Sequence, residues 1–99
     1  MKRTSVYIGD SQDNDLRKLS NNTGLSVSEI VRRAVDVFLQ QKPTTANVPK
    51  THITLKQTNI YFSDMQTINM KDLSKKMTLS VSEIIRRAIN FYLQQNKEN

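Results

Sequence analysis

The sequence predicts a mostly α-helical protein with one short two-stranded antiparallel ribbon, built from two β-α-α units that pair within one chain. Three observations lead there. The stretch Leu25-Ser26-Val27-Ser28-Glu29-Ile30-Val31-Arg32-Arg33-Ala34 returns as Leu79-Ser80-Val81-Ser82-Glu83-Ile84-Ile85-Arg86-Arg87-Ala88, and both copies end alike, at Leu39-Gln40-Gln41 and Leu93-Gln94-Gln95. Upstream, Thr4-Ser5-Val6-Tyr7-Ile8-Gly9-Asp10 aligns at the same offset with Thr58-Asn59-Ile60-Tyr61-Phe62-Ser63-Asp64, an alternating strand-like run in each copy. Each unit is roughly forty residues long, a size that rarely buries enough apolar surface to fold alone. Each copy is therefore the natural partner of the other, since two copies are too few for a solenoid.

Lys2 to Ile8 form the first expected strand. Alternation puts Thr4, Val6 and Ile8 on one face and Arg3, Ser5 and Tyr7 on the other. The second strand repeats this, with Thr58, Ile60 and Phe62 inward and Gln57, Asn59 and Tyr61 outward. A strand this short must pair, and the similar strand in this chain is its own repeat. Asp10 and Asp64 follow as expected N-caps. The first helix is expected over about Ser11 to Asn22 and the corresponding one over about Met65 to Lys76. Leu16 and Leu19 face in on the former; Ile68, Met70, Leu73 and Met77 do so on the latter. Gly24 suits a left-handed C-terminal stop, whereas Thr78 in the second copy costs some stability or shifts the turn.

The next helix has the clearest signal. Ser26 with Glu29, and Ser80 with Glu83, form the Ser-x-x-Glu pattern of a capping box. Val27, Ile30, Val31, Ala34, Val35 and Phe38 make one wide apolar stripe, matched by Val81, Ile84, Ile85, Ala88, Ile89 and Tyr92. The helix is expected to end near Gln41, ahead of Pro43. The domain division is thus a first unit over residues 1–41, a linker over 42–55 with no helical period, a second unit over 56–95, and a frayed tail over 96–99. The linker is long enough to return the second strand to the first.

Composition narrows the function. The 99 residues carry a formal net charge of +6 and a pI of about 9.8, which favours an anionic partner. No cysteine and a single histidine, His52, argue against disulfides, Cys or His metal clusters and Ser-His-Asp machinery. His52 falls in the linker and receives no role. No nucleophile sits near a base and no glycine-rich phosphate loop is present, so an enzyme is not expected, nor a cofactor, metal or small-molecule substrate. The absence of a spanning apolar run or a signal-like N-terminus points to a soluble cytoplasmic protein without a membrane partner.

Strand, helix and capped helix in this order resemble the ribbon-helix-helix family of Arc/MetJ/CopG-like DNA-binding proteins. The specific parts are Gly24-Leu25-Ser26-Val27-Ser28-Glu29-Ile30, its echo, and the alternating strand upstream of each. The resemblance covers both units and implies a tandem, (β-α-α)2 version of the fold, an intramolecular pseudo-dimer in which four helices enclose one core; exchange of units between chains is also compatible with the linker. It implies double-stranded DNA as partner, read by the ribbon in the major groove, where each base pair shows a distinct donor and acceptor pattern. Base-reading candidates are Arg3, Ser5, Tyr7, Gln57, Asn59 and Tyr61, although an ordinary solvated strand face has the same pattern. Arg3 suits guanine, Gln57 and Asn59 suit adenine, and the tyrosines can offer a hydroxyl to a base or phosphate or pack on sugar. Phosphate candidates are Lys2 and Lys56 at the ribbon ends, with Ser26, Val27 and Ser28, and Ser80, Val81 and Ser82, at the helix starts, where free amides and the helix dipole favour anions.

Glu29 with Arg33, and Glu83 with Arg87, are expected as structural ion pairs at helical spacing, while Arg32 and Arg86 are expected in solvent. Because the two outward strand faces differ, the ribbon is expected to read an asymmetric site. A transcriptional repressor is the simplest function. An accessory protein of plasmid conjugation at a transfer origin is the runner-up, with an antitoxin or a protein-binding helical module behind it. Side-by-side self-association on DNA is compatible with all the DNA-binding readings.

Overall fold

The computed structural model describes residues 1–40 and 54–95. Its elements are β1 (Lys2–Gly9), α1 (Asp10–Thr23), α2 (Val27–Gln40), β2 (Leu55–Phe62), α3 (Asp64–Met77) and α4 (Val81–Gln95). The strands form one antiparallel two-stranded sheet within the chain. Ser5 lies opposite Asn59, Arg3 opposite Tyr61, and Tyr7 opposite Gln57. Each strand is a residue longer than the alternation suggested, because Gly9 pairs with Leu55. Apart from Thr54 and Leu55, the expected linker lies outside the described residues, as do His52, Gln41 and the tail. Thr54 carbonyl oxygen accepts from the Asp10 amide at 3.0 Å, which ties the start of β2 to the start of α1.

The period-two alternation of the strands places Val6, Ile8, Ile60 and Phe62 on one buried face. That face meets the apolar stripes of α2 and α4, in which Ile30, Val31, Ala34 and Val35 and their counterparts Ile84, Ile85, Ala88 and Ile89 are fully buried. Leu16 of α1 and Met70 of α3 close the same core. Phe38 and Phe91 meet edge to face beyond it, ring centroids 6.4 Å apart. Each valine, leucine, isoleucine or methionine so buried contributes about 1.5–3 kcal/mol, and each alanine less. The halves are interleaved: α4 packs on β1, α2 packs on β2, and α2 packs on α4. A core shared in this way explains how two short units suffice.

The first-helix caps differ from the expectation. Asp10 and Asp64 are already the first helical residues, and the caps are Gly9 and Ser63, whose backbones are extended. The strands run directly into the helices, so the turn begins one residue earlier. Ser63 Oγ accepts from the Gln66 amide at 3.1 Å, and Gln66 Oε1 accepts from the Ser63 amide at 3.0 Å, a complete capping box. Gly9 has no side chain, so only the return bond exists there, from its amide to Gln12 Oε1 at 2.9 Å. Ile68 is also corrected: it is 60 % exposed. The buried stripe of α3 runs through Gln66, Met70 and Met77, and position 68 lies round the helix from it. At the helix ends, Gly24 and Thr78 both adopt left-handed backbones, at φ 77° and 56°, so the threonine keeps the turn and bears the conformational cost.

Candidate nucleic-acid interface

The same alternation that buries one face of the ribbon exposes the other. Arg3, Ser5, Tyr7, Gln57, Asn59 and Tyr61 all stand in solvent, with Tyr7 and Tyr61 about half exposed. Ser5 and Asn59 occupy equivalent positions in the two halves and face each other, so a local two-fold axis passes between them. About that axis Arg3 corresponds to Gln57, and Tyr7 to Tyr61. The face is therefore symmetric in its tyrosines and asymmetric in its other four side chains. Gln57 Nε2 donates to Ser5 Oγ across the strands. Among the described residues the side chains of Arg3 and Asn59 have no such partner, which leaves their donors directed outward.

Each capped helix presents free donors beside this face. Ser26 Oγ accepts from the Glu29 amide, and Ser80 Oγ from the Glu83 amide, both at 3.1 Å. The first-turn amides at Val27 and Ser28, and at Val81 and Ser82, have no acceptor within their own helix. The carboxylate half of the expected capping box is absent from this arrangement, because both glutamates turn to arginine. Ser82 is drawn to the ribbon: its Oγ accepts from the Tyr7 amide at 3.2 Å.

Arg32 and Arg86, expected in solvent, are instead built into the structure. Their side chains are only 18 % and 17 % exposed. Arg32 Nη1 donates to the Tyr61 carbonyl at 2.9 Å, and Arg86 Nη1 donates to the Tyr7 carbonyl at 2.8 Å. Each also donates through Nη2 to a glutamate, Glu29 or Glu83. A two-stranded ribbon leaves unpaired backbone groups on both outer edges, and a guanidinium fork can bind one of them while keeping its carboxylate. The helices α2 and α4 thus hold the ribbon by its edges and fix the backbone of the two exposed tyrosines. Arg33 and Arg87 lie at 3.4 and 3.5 Å from the same glutamates. The Arg32 guanidinium, with Arg33 behind it, holds the Glu29 carboxyl below its ordinary range.

The ribbon-end lysines are not alike. Lys56 Nζ is 3.3 Å from Asp13 Oδ2, and the same oxygen accepts from Arg17 Nε at 3.0 Å. Lys2, its counterpart, has Thr67 where that acid would be. Sequence reasoning passed over Asp13, which occurs in one copy alone. It also passed over Gln12 and Gln66, which bind the halves together. Gln12 Nε2 donates to the Arg86 carbonyl at 2.9 Å and to Asn90 Oδ1 at 2.8 Å. Gln66 Nε2 donates to the Arg32 carbonyl at 3.1 Å and to Asp36 Oδ1 at 2.8 Å. The signal was available: a glutamine identical in both copies, three residues after the helix cap, in Gly9-x-x-Gln12 and Ser63-x-x-Gln66.

Among the described residues, no helix is long and apolar enough to cross a membrane, and no cluster of His, Cys, Asp or Glu side chains could hold a metal ion. Compared with known proteins, residues 2–41 match a family model described as a ribbon-helix-helix domain. No curated protein and no solved structure gives a match.

Proposed function

We propose that the chain, whose residues 2–41 match a ribbon-helix-helix domain, is a DNA-binding regulator of that family that binds double-stranded DNA sequence-specifically through its β-ribbon and acts as a transcriptional repressor. Residues 1–41 and 56–95 are two such units joined by a linker over 42–55, with a tail over 96–99, and they make an intramolecular pseudo-dimer. The observation that carries this reading is the ribbon itself. One face is sealed in the core, and the other presents six exposed side chains in fixed register. A two-stranded ribbon fits the major groove, where Arg3 can pair with guanine O6 and N7, and Asn59 or Gln57 with adenine N6 and N7. Ser5 adapts to either. Tyr7 and Tyr61, anchored through their backbone carbonyls by Arg86 and Arg32, offer hydroxyls to base or phosphate.

The starts of α2 and α4 flank the ribbon and position the DNA without reading it. Ser26 and Ser80 use their oxygens to cap the helix and keep their protons for a phosphate. The amides of Val27, Ser28, Val81 and Ser82 supply the rest, with the ribbon-end lysines as further phosphate candidates, Lys2 free of an ion pair among the described residues and Lys56 engaged by Asp13. Occupying an operator in this way excludes competing proteins and needs no cofactor.

Selection of bound duplexes from a random pool at stated salt tests the proposal. The expected result is a short enriched motif without dyad symmetry, since Arg3 and Ser5 are matched by Gln57 and Asn59. Retention that is unselective and barely sensitive to salt would exclude both sequence reading and phosphate contact.

A further inference from the structure

We propose that the ribbon has one open phosphate seat, at its Lys2 end, and that the equivalent seat at its Lys56 end is closed by the protein's own Asp13. The inference rests on the reading of the ribbon as the DNA-contacting face, and adds to it an electrostatic polarity that is independent of the bases.

At the open end, a pocket of about 350 Å³ is lined by Lys2 and Arg3 of β1, by Thr67, Met70 and Lys71 of α3, and by Val81 at the start of α4. Three cations surround it with no acid among the lining residues, and among the described residues none of the three forms an ion pair. Its lining is mainly apolar and includes Met70 and Val81, and the free amides of the first turn of α4 begin at that same Val81. Uncompensated cations around a partly enclosed, mainly apolar recess focus a field that favours an anion, and a backbone phosphate of DNA lying along the ribbon is the anion this position meets.

The equivalent residues at the other end are Lys56, Gln57, Asp13, Leu16, Arg17 and Val27. Two differences remove the field there. Gln57 replaces Arg3, and Asp13 replaces Thr67. The Asp13 side chain is only 10 % exposed and lies 3.3 Å from Lys56 Nζ and 3.0 Å from Arg17 Nε. Of the charged groups at that corner, two cations face one carboxylate, against three cations and none at the open end. A phosphate arriving there must displace an internal carboxylate that it cannot outnumber. The DNA backbone is therefore gripped firmly at one end and lightly at the other.

Binding of the full chain to a duplex of scrambled sequence, measured over a salt series, reads this directly, because each phosphate contact contributes about 0.9 to the slope of log affinity against log salt. Lys71→Ala is expected to reduce the slope by about one contact and Arg17→Ala to leave it unchanged. Asp13→Asn frees Lys56 and raises the slope by about one contact; Thr67→Asp closes the open seat and lowers it by a similar amount. Circular dichroism of each variant establishes that the fold is kept. Equal losses for Lys71→Ala and Arg17→Ala, or an unchanged slope for Asp13→Asn, overturn the polarity while leaving DNA binding in place. A wild-type chain with no salt-dependent binding overturns both.

Discussion

Gln12 and Asn90 are joined by a 2.8 Å hydrogen bond across 78 positions of the chain. The same amide nitrogen donates to the Arg86 carbonyl, and the amide oxygen accepts from Gly9. The side chain is buried with its donors and acceptor all engaged. Gln66 repeats the arrangement in the opposite direction, from α3 to α2. Each half therefore satisfies a buried amide only by reaching the second helix of the other half. That second helix also grips the other half's strand, through Arg86 to Tyr7 and Arg32 to Tyr61. The pairing of halves that places the ribbon is thus specified by polar groups as well as by the apolar core.

Removing either glutamine should show this. Gln12→Ala leaves the Gly9 amide without its acceptor and two acceptors on α4 without their donor, at a cost of about 1–3 kcal/mol. Gln66→Ala should cost a similar amount. Urea denaturation checks both: the midpoint should fall while the slope stays near the wild-type value, as expected when stability changes and the surface exposed on unfolding does not. A change within about 0.5 kcal/mol would mean that water replaces the amide without loss.

The two C-caps make a matched pair with opposite expected signs. Gly24 is left-handed with open space around the position of a Cβ, so Gly24→Ala introduces conformational strain and no clash. Thr78 is left-handed at φ 56° and exposed, and Thr78→Gly relieves a β-branched residue of a backbone it disfavours. Each change should be about 1 kcal/mol, the first destabilising and the second stabilising. In thermal melts that is a shift of about 5 °C downward and upward respectively.

Much of this fold was legible because repeat and period carry local and pairwise information together. Alternation named the buried Val6, Ile8, Ile60 and Phe62 and the exposed Arg3, Ser5, Asn59 and Tyr61, and the helical period named the stripes of α2 and α4. What the period cannot encode is which neighbour a polar side chain meets. Arg32 and Arg86 sit at the margin of the apolar stripe, where solvent is the default expectation, yet a strand edge lies within reach and supplies carbonyls. Ile68 looked inward by composition, but its place on the helix outranks its hydrophobicity. Asp13 is one of several acids on a polar helix, and only the return of β2 brings Lys56 beside it.

Acid should weaken the fold through Glu29. Arg32, and then Arg33, hold its carboxyl below the ordinary glutamate range in the folded chain. A carboxyl lowered in this way contributes stability that is fully present above its unfolded value and is lost as pH falls through its folded value. The urea midpoint should therefore decline as pH is taken from neutral to below the usual carboxylate range. Glu29→Gln should lower the midpoint at neutral pH and flatten the decline. A variant whose pH profile parallels the wild type would show that other carboxylates govern the acid limb.

Exchanging the outward faces of the strands should turn the bound protein round on its site. The relevant changes are Arg3→Gln with Gln57→Arg and Ser5→Asn with Asn59→Ser, since Tyr7 and Tyr61 already match. None of these side chains contributes to the core, so the fold should persist. The chain has no cysteine, and Ile68 is largely exposed on α3, so Ile68→Cys provides a unique point for a tethered DNA-cleaving reagent. On a directional site the wild-type ribbon should give cuts on one flank, and the exchanged ribbon on the other. Asp13 and Thr67 stay in place, so moving the Arg3 cation to position 57 leaves two cations and no acid at the Lys2 end against three cations and one acid at the other, and the proposed charge polarity is cancelled without being reversed. Adding Asp13→Asn and Thr67→Asp should complete the reversal. Cuts that remain on the original flank with all six changes would mean that neither the ribbon face nor its charged ends choose the orientation.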